Sequence, residues 1–182
     1  MKSVSGGGGR WARDFDAFYT ATATRLVGQL YLMTGDLAEA QDCVQEAFVR
    51  ALQRPRTFAE LASPEAWIRT VAWRIAVSRW RRSTTALRAH RRLASVAAVA
   101  GPDIAHVALV DALRRINAEQ CRAVVLHHLC DLSVAEIAAE TGAPVGTVKV
   151  RLARGRAALA ELLQDDPDFR GSGPYAREAN HG

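Results

Sequence analysis

Residues 133–159, SVAEIAAETGAPVGTVKVRLARGRAAL, contain two helical patterns separated by a short turn. Ser133, followed three residues later by Glu136, is a capping-box pattern, which predicts a short helix that begins there and ends near Gly142. A longer helix is predicted from about Val145. A short capped helix, a turn and a longer helix form the helix-turn-helix layout, in which the second helix enters the major groove of DNA.

The longer helix has an apolar side and a cationic side. At about 100° per residue its predicted buried stripe consists of Val148, Leu152, Gly155 and Leu159. Roughly opposite lies a ridge of small, mostly apolar residues, Gly146, Val150, Ala153 and Ala157. The polar residues that flank this ridge are Lys149 and Arg156 on one side and Thr147, Arg151 and Arg154 on the other.

A low ridge between cations suits the major groove, because the ridge can approach base edges while the flanks meet phosphates. Arg154 lies closest to the centre of the ridge, so we expect it to read a base. The alternative is that these cations only solvate the outside of a terminal helix. The lack of any acid between them and Glu161 favours the DNA surface.

Composition is typical of a folded protein with a polyanionic partner. The 182 residues, 49% of them hydrophobic, suffice for one ordinary domain or two small ones, and the net charge is +5. Three irregularly spaced cysteines argue against a disulfide framework and favour the cytoplasm. The start of the chain lacks the apolar core of a signal peptide, so neither export nor membrane insertion is expected.

Helical periodicity and turn signals divide the chain into two helical bundles. Residues 1–12, with four consecutive glycines, are predicted to be a flexible arm. The first bundle is predicted over 13–84, a linker over 85–104 and the second bundle over 105–164. Residues 165–182 are predicted to be a flexible tail. No segment alternates as a strand, so the fold class is all-α.

The helix that begins at Pro64 carries a second candidate surface for nucleic acid. Its predicted buried stripe is Trp67, Ile68, Val71 and Ile75, which leaves Arg69, Trp73, Ala76 and Trp80 opposite. The remaining cations of this helix are Arg74, Arg79, Arg81 and Arg82. Exposed tryptophans among arginines can stack unpaired bases and hold phosphates, as in single-strand binding. The alternative is that the two tryptophans pack on other parts of the fold.

The preceding helix, in DLAEAQDCVQEAFVRALQ, is acidic instead. Its candidate contact residues are Asp42, Gln45, Glu46 and Phe48. An acidic helix is a poor DNA surface and suits a basic protein partner, although an ordinary solvated face is an equal alternative.

Three blocks in this order resemble those of an extracytoplasmic-function (ECF) sigma factor, the two-domain initiation factor of bacterial RNA polymerase. GDLAEAQDCVQEAFVRAL is similar to the family's polymerase-binding helix, PEAWIRTVAWRIAVSRWRR to its minus-10 segment, and the helix-turn-helix to its minus-35 reader. The resemblance spans roughly residues 13–164. It implies a sigma region 2 over 13–84 and a sigma region 4 over 105–164.

The resemblance implies partners and roles for the candidate residues. Asp42, Gln45, Glu46 and Phe48 would contact the clamp of core RNA polymerase; Arg69, Trp73, Arg74, Arg79, Trp80, Arg81 and Arg82 would capture the melted minus-10 strand; Thr147, Lys149, Val150, Arg151, Arg154 and Arg156 would bind the minus-35 duplex. Many relatives have an anti-sigma factor, which makes one a candidate partner. Arg74, Ser78 and Val150 depart from the family's usual residues, so the promoter sequence cannot be copied from relatives.

Two other classes of protein compete with this interpretation. Cys121, His127, His128 and Cys130 are metal-capable, but helical spacing spreads them around the axis, so neither a metal site nor an enzyme is expected. No cofactor is predicted, because no Gly-rich phosphate loop follows a strand. A helix-turn-helix regulator that acts without polymerase is the closer alternative, but it leaves the first bundle unexplained.

Overall fold

The computed structural model describes residues 8–86 and 104–164. These residues form eight α-helices and no β-strand, which confirms the predicted fold class. The helices are α1 (Gly8–Thr34), α2 (Leu37–Leu52), α3 (Pro55–Ala59), α4 (Pro64–Ala86), α5 (Ile104–Arg115), α6 (Ala118–His128), α7 (Val134–Thr141) and α8 (Val145–Gln164). None of these described helices is long and apolar enough to cross a membrane.

The helices group into two compact units. The first unit contains α1 up to Tyr31 together with α2, α3 and α4, and the second contains α5 to α8 together with residues 32–36. The predicted linker, 85–104, lies outside the described residues except for the end of α4 and the start of α5. The predicted tail, 165–182, lies wholly outside them.

The core of the first unit is built around the packing of α2 against α4. α2 turns one face inward because its small and apolar residues recur three or four apart; the buried ones are Ala40, Cys43, Val44, Ala47, Phe48 and Ala51. Phe58 of α3 joins this core, with its ring centroid 5.7 Å from that of Phe18 and 5.6 Å from that of Trp67. Aromatic rings at these separations bury large apolar areas in favourable tilted or edge-to-face geometry.

The first unit differs from the sequence prediction at two places. α1 begins at Gly8, inside the predicted arm, and the Trp11 ring lies 5.3 Å from Phe15 and 5.9 Å from Phe58. Burial of the indole offsets the entropy lost by ordering this Gly-rich start. The short helix α3 is the second difference, because five residues are too few to show a period, although Pro55 suits a first helical position.

The second unit is held together by the packing of α8 on α6 and α7. α8 buries Val148, Leu152, Gly155 and Leu159, which are the four residues of the predicted stripe. At Gly155 the two helices touch closely: a Cβ added there would lie 2.8 Å from Cγ2 of Val124 and 3.3 Å from the backbone oxygen of Gln120. A residue without a side chain is therefore required for this approach of α8 to α6.

Candidate nucleic-acid interface

Local hydrogen bonds fix the two ends of α7 and with them the turn that leads into α8. The Ser133 hydroxyl accepts a hydrogen bond from the backbone N–H of Glu136 at 3.2 Å, and the Ser133 N–H donates to the Glu136 carboxylate at 2.8 Å. Hydrogen bonding of the Glu136 carboxylate to the side chain and to the backbone N–H of Ser133 lowers the pKa of Glu136 below its ordinary value, so the box stays intact at neutral pH. α7 then ends at Gly142 in the left-handed conformation, with φ 72°, as a Gly C-cap requires.

The outer face of α8 is open to solvent. Its exposed residues include Gly146, Thr147, Lys149, Val150, Ala153, Arg154, Arg156 and Ala157. Val150 is 48% exposed although it is apolar, so it is available for contact with a partner. The predicted ridge and its flanks therefore lie on one accessible surface, which we call the α8 face.

Arg151 is the exception on this face, because a residue of another helix holds it. Its Nη1 lies 3.0 Å from Oε2 of Glu119, in the first turn of α6, and the arginine side chain is only 28% exposed. Sequence reasoning missed Glu119. Its contact with Arg151 joins residues far apart in the chain, and an acid near a helix start is by itself explained by the helix dipole.

Two residues predicted to face the minus-10 strand are instead buried. Trp73 is 5% exposed and Arg69 is 7% exposed. Arg69 donates to Oε1 of Gln29 at 3.3 Å and lies 3.6 Å from Glu65, so α1 and α4 hold it inside the unit. Their predicted exposure was wrong because α4 buries two faces, one of which includes the stripe predicted to be exposed.

The C-terminal part of α4 matches the prediction better. Trp80 is 56% exposed, and Arg74, Arg81 and Arg82 are exposed as well. Arg82 donates to the Ser78 hydroxyl at 3.1 Å, which orients its guanidinium along the helix. These four residues are accessible within 74–82 of α4, and we call them together the α4 end.

Arg79 was predicted to contact DNA, but it belongs to an ion-pair network with α2. Its Nη2 lies 2.7 Å from Glu46, and its Nη1 lies 3.5 Å from Glu39 and 3.9 Å from Asp42. Burial alone would raise the pKa of Glu46, but hydrogen bonds from Arg79 and Arg50 outweigh it and lower that pKa. The sequence of α4 alone did not reveal this network, because α2 supplies its acids.

The acidic helix keeps part of its predicted contact surface. Asp42 and Gln45 are exposed, with 68% of the Asp42 side chain accessible. Phe48 is only 3% exposed, and its ring packs 6.0 Å from Phe15 and 4.8 Å from Tyr19. Phe48, which was predicted to contact polymerase, is therefore a core residue of the first unit, because an aromatic at this position of the stripe turns inward with its neighbours.

Three of the metal-capable residues, Cys121, His127 and His128, lie on α6. Among the described residues, no group of three or more His, Cys, Asp or Glu side chains could hold a metal ion. Burial raises the pKa of the Cys121 thiol to about 12, so it stays protonated. His127 packs against His128, and its Nδ1 lies 2.8 Å from the carbonyl oxygen of Leu132.

Comparison with known proteins identifies both units. Residues 18–86 match the family model Sigma-70 region 2, and residues 106–159 match Sigma-70, region 4. The chain is 33% identical to the ECF RNA polymerase sigma factor SigL of Mycobacterium tuberculosis, over 91% of this chain and 97% of SigL. It is 34% identical to the ECF RNA polymerase sigma factor BldN of Streptomyces coelicolor, over 85% of this chain and 63% of BldN.

A solved structure shares the fold. The sigma factor RpoE of Bartonella quintana, in complex with the anti-sigma factor NepR, superposes with a TM-score of 0.67 at 23% identity. The match covers 85% of this chain and 99% of the RpoE chain. At this identity the likeness shows a common fold.

Proposed function

The chain belongs to the ECF RNA polymerase sigma factors, and we propose that it performs the family's task through three separate surfaces. As a member of that family it binds core RNA polymerase and directs it to promoters. The surfaces are the α8 face for the minus-35 duplex, the α4 end for the melted minus-10 strand, and the acidic side of α2 for core polymerase. The domain limits that we propose are 13–84 for region 2 and 105–164 for region 4.

The α8 face is suited to a major groove by shape and by charge. Val150, Ala153 and Ala157 leave a low ridge that can approach base edges. Lys149 and Arg156 leave from one flank, where they can neutralise phosphates without reading sequence. Arg154 lies next to the ridge and can pair with a guanine in the bidentate way that a planar guanidinium allows.

The α4 end is suited to unpaired bases. Trp80 offers an accessible ring on which a base can stack, and Arg74, Arg81 and Arg82 supply charge for the backbone. Arg69, Trp73 and Arg79 do not belong to this surface, because the first two are buried and the third is held by α2.

Core polymerase is the partner that we assign to the acidic side of α2. Asp42 and Gln45 are its accessible members, and Glu46 lies beside them in its ion pair with Arg79. An acidic, amphipathic face steers association with a basic protein surface and adds specificity there.

One observation carries the minus-35 assignment: α8 buries its apolar stripe and leaves every predicted reader except Arg151 exposed on one face. The test is binding of the holoenzyme to a library of promoter fragments with each minus-35 base varied, at two salt concentrations. Arg154→Ala should cost roughly 1–3 kcal/mol on the preferred sequence and flatten the preference at one base position. Lys149→Ala should weaken all sequences alike and lower the salt slope by about one unit.

The pattern of losses decides the role of Arg154. Equal weakening of every sequence by Arg154→Ala would make Arg154 a phosphate contact and transfer base reading to Val150, Arg151 or Thr147. If neither Arg154→Ala nor Lys149→Ala changes binding, the α8 face does not contact the promoter.

Three further proposals concern catalytic activity, location in the cell and a regulatory partner. Polymerase supplies the chemistry of transcription, so we propose that this chain has no catalytic activity of its own and acts in the cytoplasm, where polymerase and promoters meet. The Bartonella RpoE structure contains an anti-sigma factor, and we propose a partner of that kind here. Such a protein should compete with core polymerase for the chain in a pull-down.

A further inference from the structure

A cleft of about 480 Å³ lies beside α8, between its outer face and the N-terminal end of α6. α8 lines it with Gly146, Thr147, Val150, Arg151 and Arg154, and α6 and its cap line it with Asn117, Glu119 and Gln120. Four of these α8 residues belong to the exposed α8 face. A duplex seated on that face therefore also covers the mouth of the cleft.

We propose that Glu119 is a positioning residue for minus-35 recognition, which holds Arg151 at the cleft and thereby raises the sequence preference of the α8 face. The proposal rests on the assignment of the α8 face to the minus-35 duplex. It adds a residue from outside the helix-turn-helix to the reading surface.

The contact between Glu119 and Arg151 restricts an otherwise mobile cation. A guanidinium on a long side chain can reach many phosphates, whatever the sequence. Here a charge-assisted contact of 3.0 Å fixes Arg151 against α6, and its side chain is only 28% exposed. A fixed guanidinium can contact only what the duplex presents at one place, which favours one arrangement of bases over others.

Glu119 also lowers the general attraction of this region for DNA. The cap and first turn of α6 line the cleft, and a helix N-terminus favours an anion. The Asn117 side chain accepts from the N–H of Glu119 at 2.9 Å, and the Glu119 carboxylate lies in the same turn. An approaching phosphate therefore meets a carboxylate here, so sequence-independent binding is weakened while the oriented contact of Arg151 is kept.

The test is the promoter-library experiment with Glu119→Gln, which removes the charge and keeps the size of the side chain. We expect released Arg151 to gain a phosphate contact on any sequence, so the salt slope should steepen by about one unit. Mismatched sequences should then bind about fourfold more tightly, while the preferred sequence gains less than twofold. The ratio of preferred to mismatched binding should fall accordingly.

A matched control is Glu161→Gln, which removes one exposed carboxylate from the C-terminal end of α8, away from the cleft. It should leave both the ratio and the slope unchanged. A second control compares Arg151→Gln with the double variant that carries both Arg151→Gln and Glu119→Gln. In that background Glu119→Gln should no longer change the salt slope, because its effect acts through Arg151.

Three results would overturn the proposal. If Glu119→Gln tightens binding equally on all sequences, and Glu161→Gln does the same, the effect is a long-range charge effect alone. Uniform weakening with a lower melting temperature would make Glu119 a structural residue of α6. A full effect in the Arg151→Gln background would show that Glu119 does not act through Arg151. In each case Arg154→Ala, measured on the same library, tells separately whether the α8 face binds the minus-35 duplex at all.

Discussion

Trp73 and Trp80 stand seven residues apart in α4 and project to nearly the same side of it, yet their surroundings differ. Trp73 is 5% exposed and Trp80 is 56% exposed. Ala76 is a buried residue of α4, whereas none of residues 77–82 is buried. The two side chains therefore have different roles, one in the core and one on the α4 end.

The two tryptophans should respond differently to replacement by alanine. Trp73→Ala should lower the free energy of unfolding by roughly 3–5 kcal/mol, because it leaves a large cavity. Trp80→Ala should hardly change that free energy but reduce open-complex formation by about tenfold or more, since base stacking on an aromatic is worth roughly 1–3 kcal/mol. Thermal melting measures the stability of both variants, and an open-complex assay measures their function. Equal melting temperatures for both variants would contradict this division of roles.

Gly155 provides a second test at the scale of a residue. Alanine is the better helix former by about 1 kcal/mol, so Gly→Ala in an open helical position should stabilise. At Gly155 the new methyl would meet Val124 and the backbone of Gln120, and overpacking of this kind costs roughly 1–3 kcal/mol. We expect Gly155→Ala to lower the melting temperature. Gly146→Ala, with nothing within 4 Å of its Cβ, should not lower it.

At the scale of the helices, the ion-pair network between α2 and α4 links the proposed polymerase surface to the proposed minus-10 surface. Arg79 of α4 contacts Glu39, Asp42 and Glu46 of α2. Its guanidinium holds α2 in register with α4, because the three carboxylates converge on one rigid, planar group. The network therefore positions the two surfaces relative to each other within the first unit.

The stability that Glu46 contributes should depend on pH. Its pKa is lowered in the folded protein by Arg79 and Arg50, so its contribution is present above the unfolded pKa and is lost as the pH falls through the folded value. We expect Glu46→Gln to melt lower than the parent chain at pH 7, with the difference shrinking as the pH drops below about 4.5. The effect should be small, because a third of the side chain is exposed. A constant difference between pH 7 and pH 3 would show that the ion pair contributes nothing.

At the scale of the whole molecule, core polymerase binding distinguishes a sigma factor from a regulator that acts on DNA alone. Asp42 is the better site for the test, because it lies at the edge of the network, 3.9 Å from Arg79 and 68% exposed, whereas a cation at Glu46 would stand 2.7 Å from Arg79 and disturb the unit more. Asp42→Lys should reduce retention of core polymerase in a pull-down and lower run-off transcription, while circular dichroism stays unchanged. Asp16→Lys, an equal charge change at an exposed site on α1, is the control. Retention unaffected by Asp42→Lys would remove this side of α2 from the interface.

The helix-turn-helix could be predicted from the sequence nearly in full. The capping box of Ser133 and Glu136, the left-handed Gly142 and the start of α8 at Val145 are set by residues within a turn or two of each other. The buried stripe of α8 was equally predictable, because the period of a helix places residues three and four apart on one side. Local hydrogen bonds and helix geometry depend on residues close in sequence and not on the packing of the rest of the chain.

The tertiary structure alone decided which polar and aromatic side chains remain available to partners. Arg69 is buried against Gln29, Arg79 is held by Glu46, and Arg151 is held by Glu119. Each of these contacts joins residues more than thirty positions apart, so no window of sequence contains both partners. Periodicity gives the direction in which a side chain points, but burial and ion pairing depend on the neighbouring helix that meets it there.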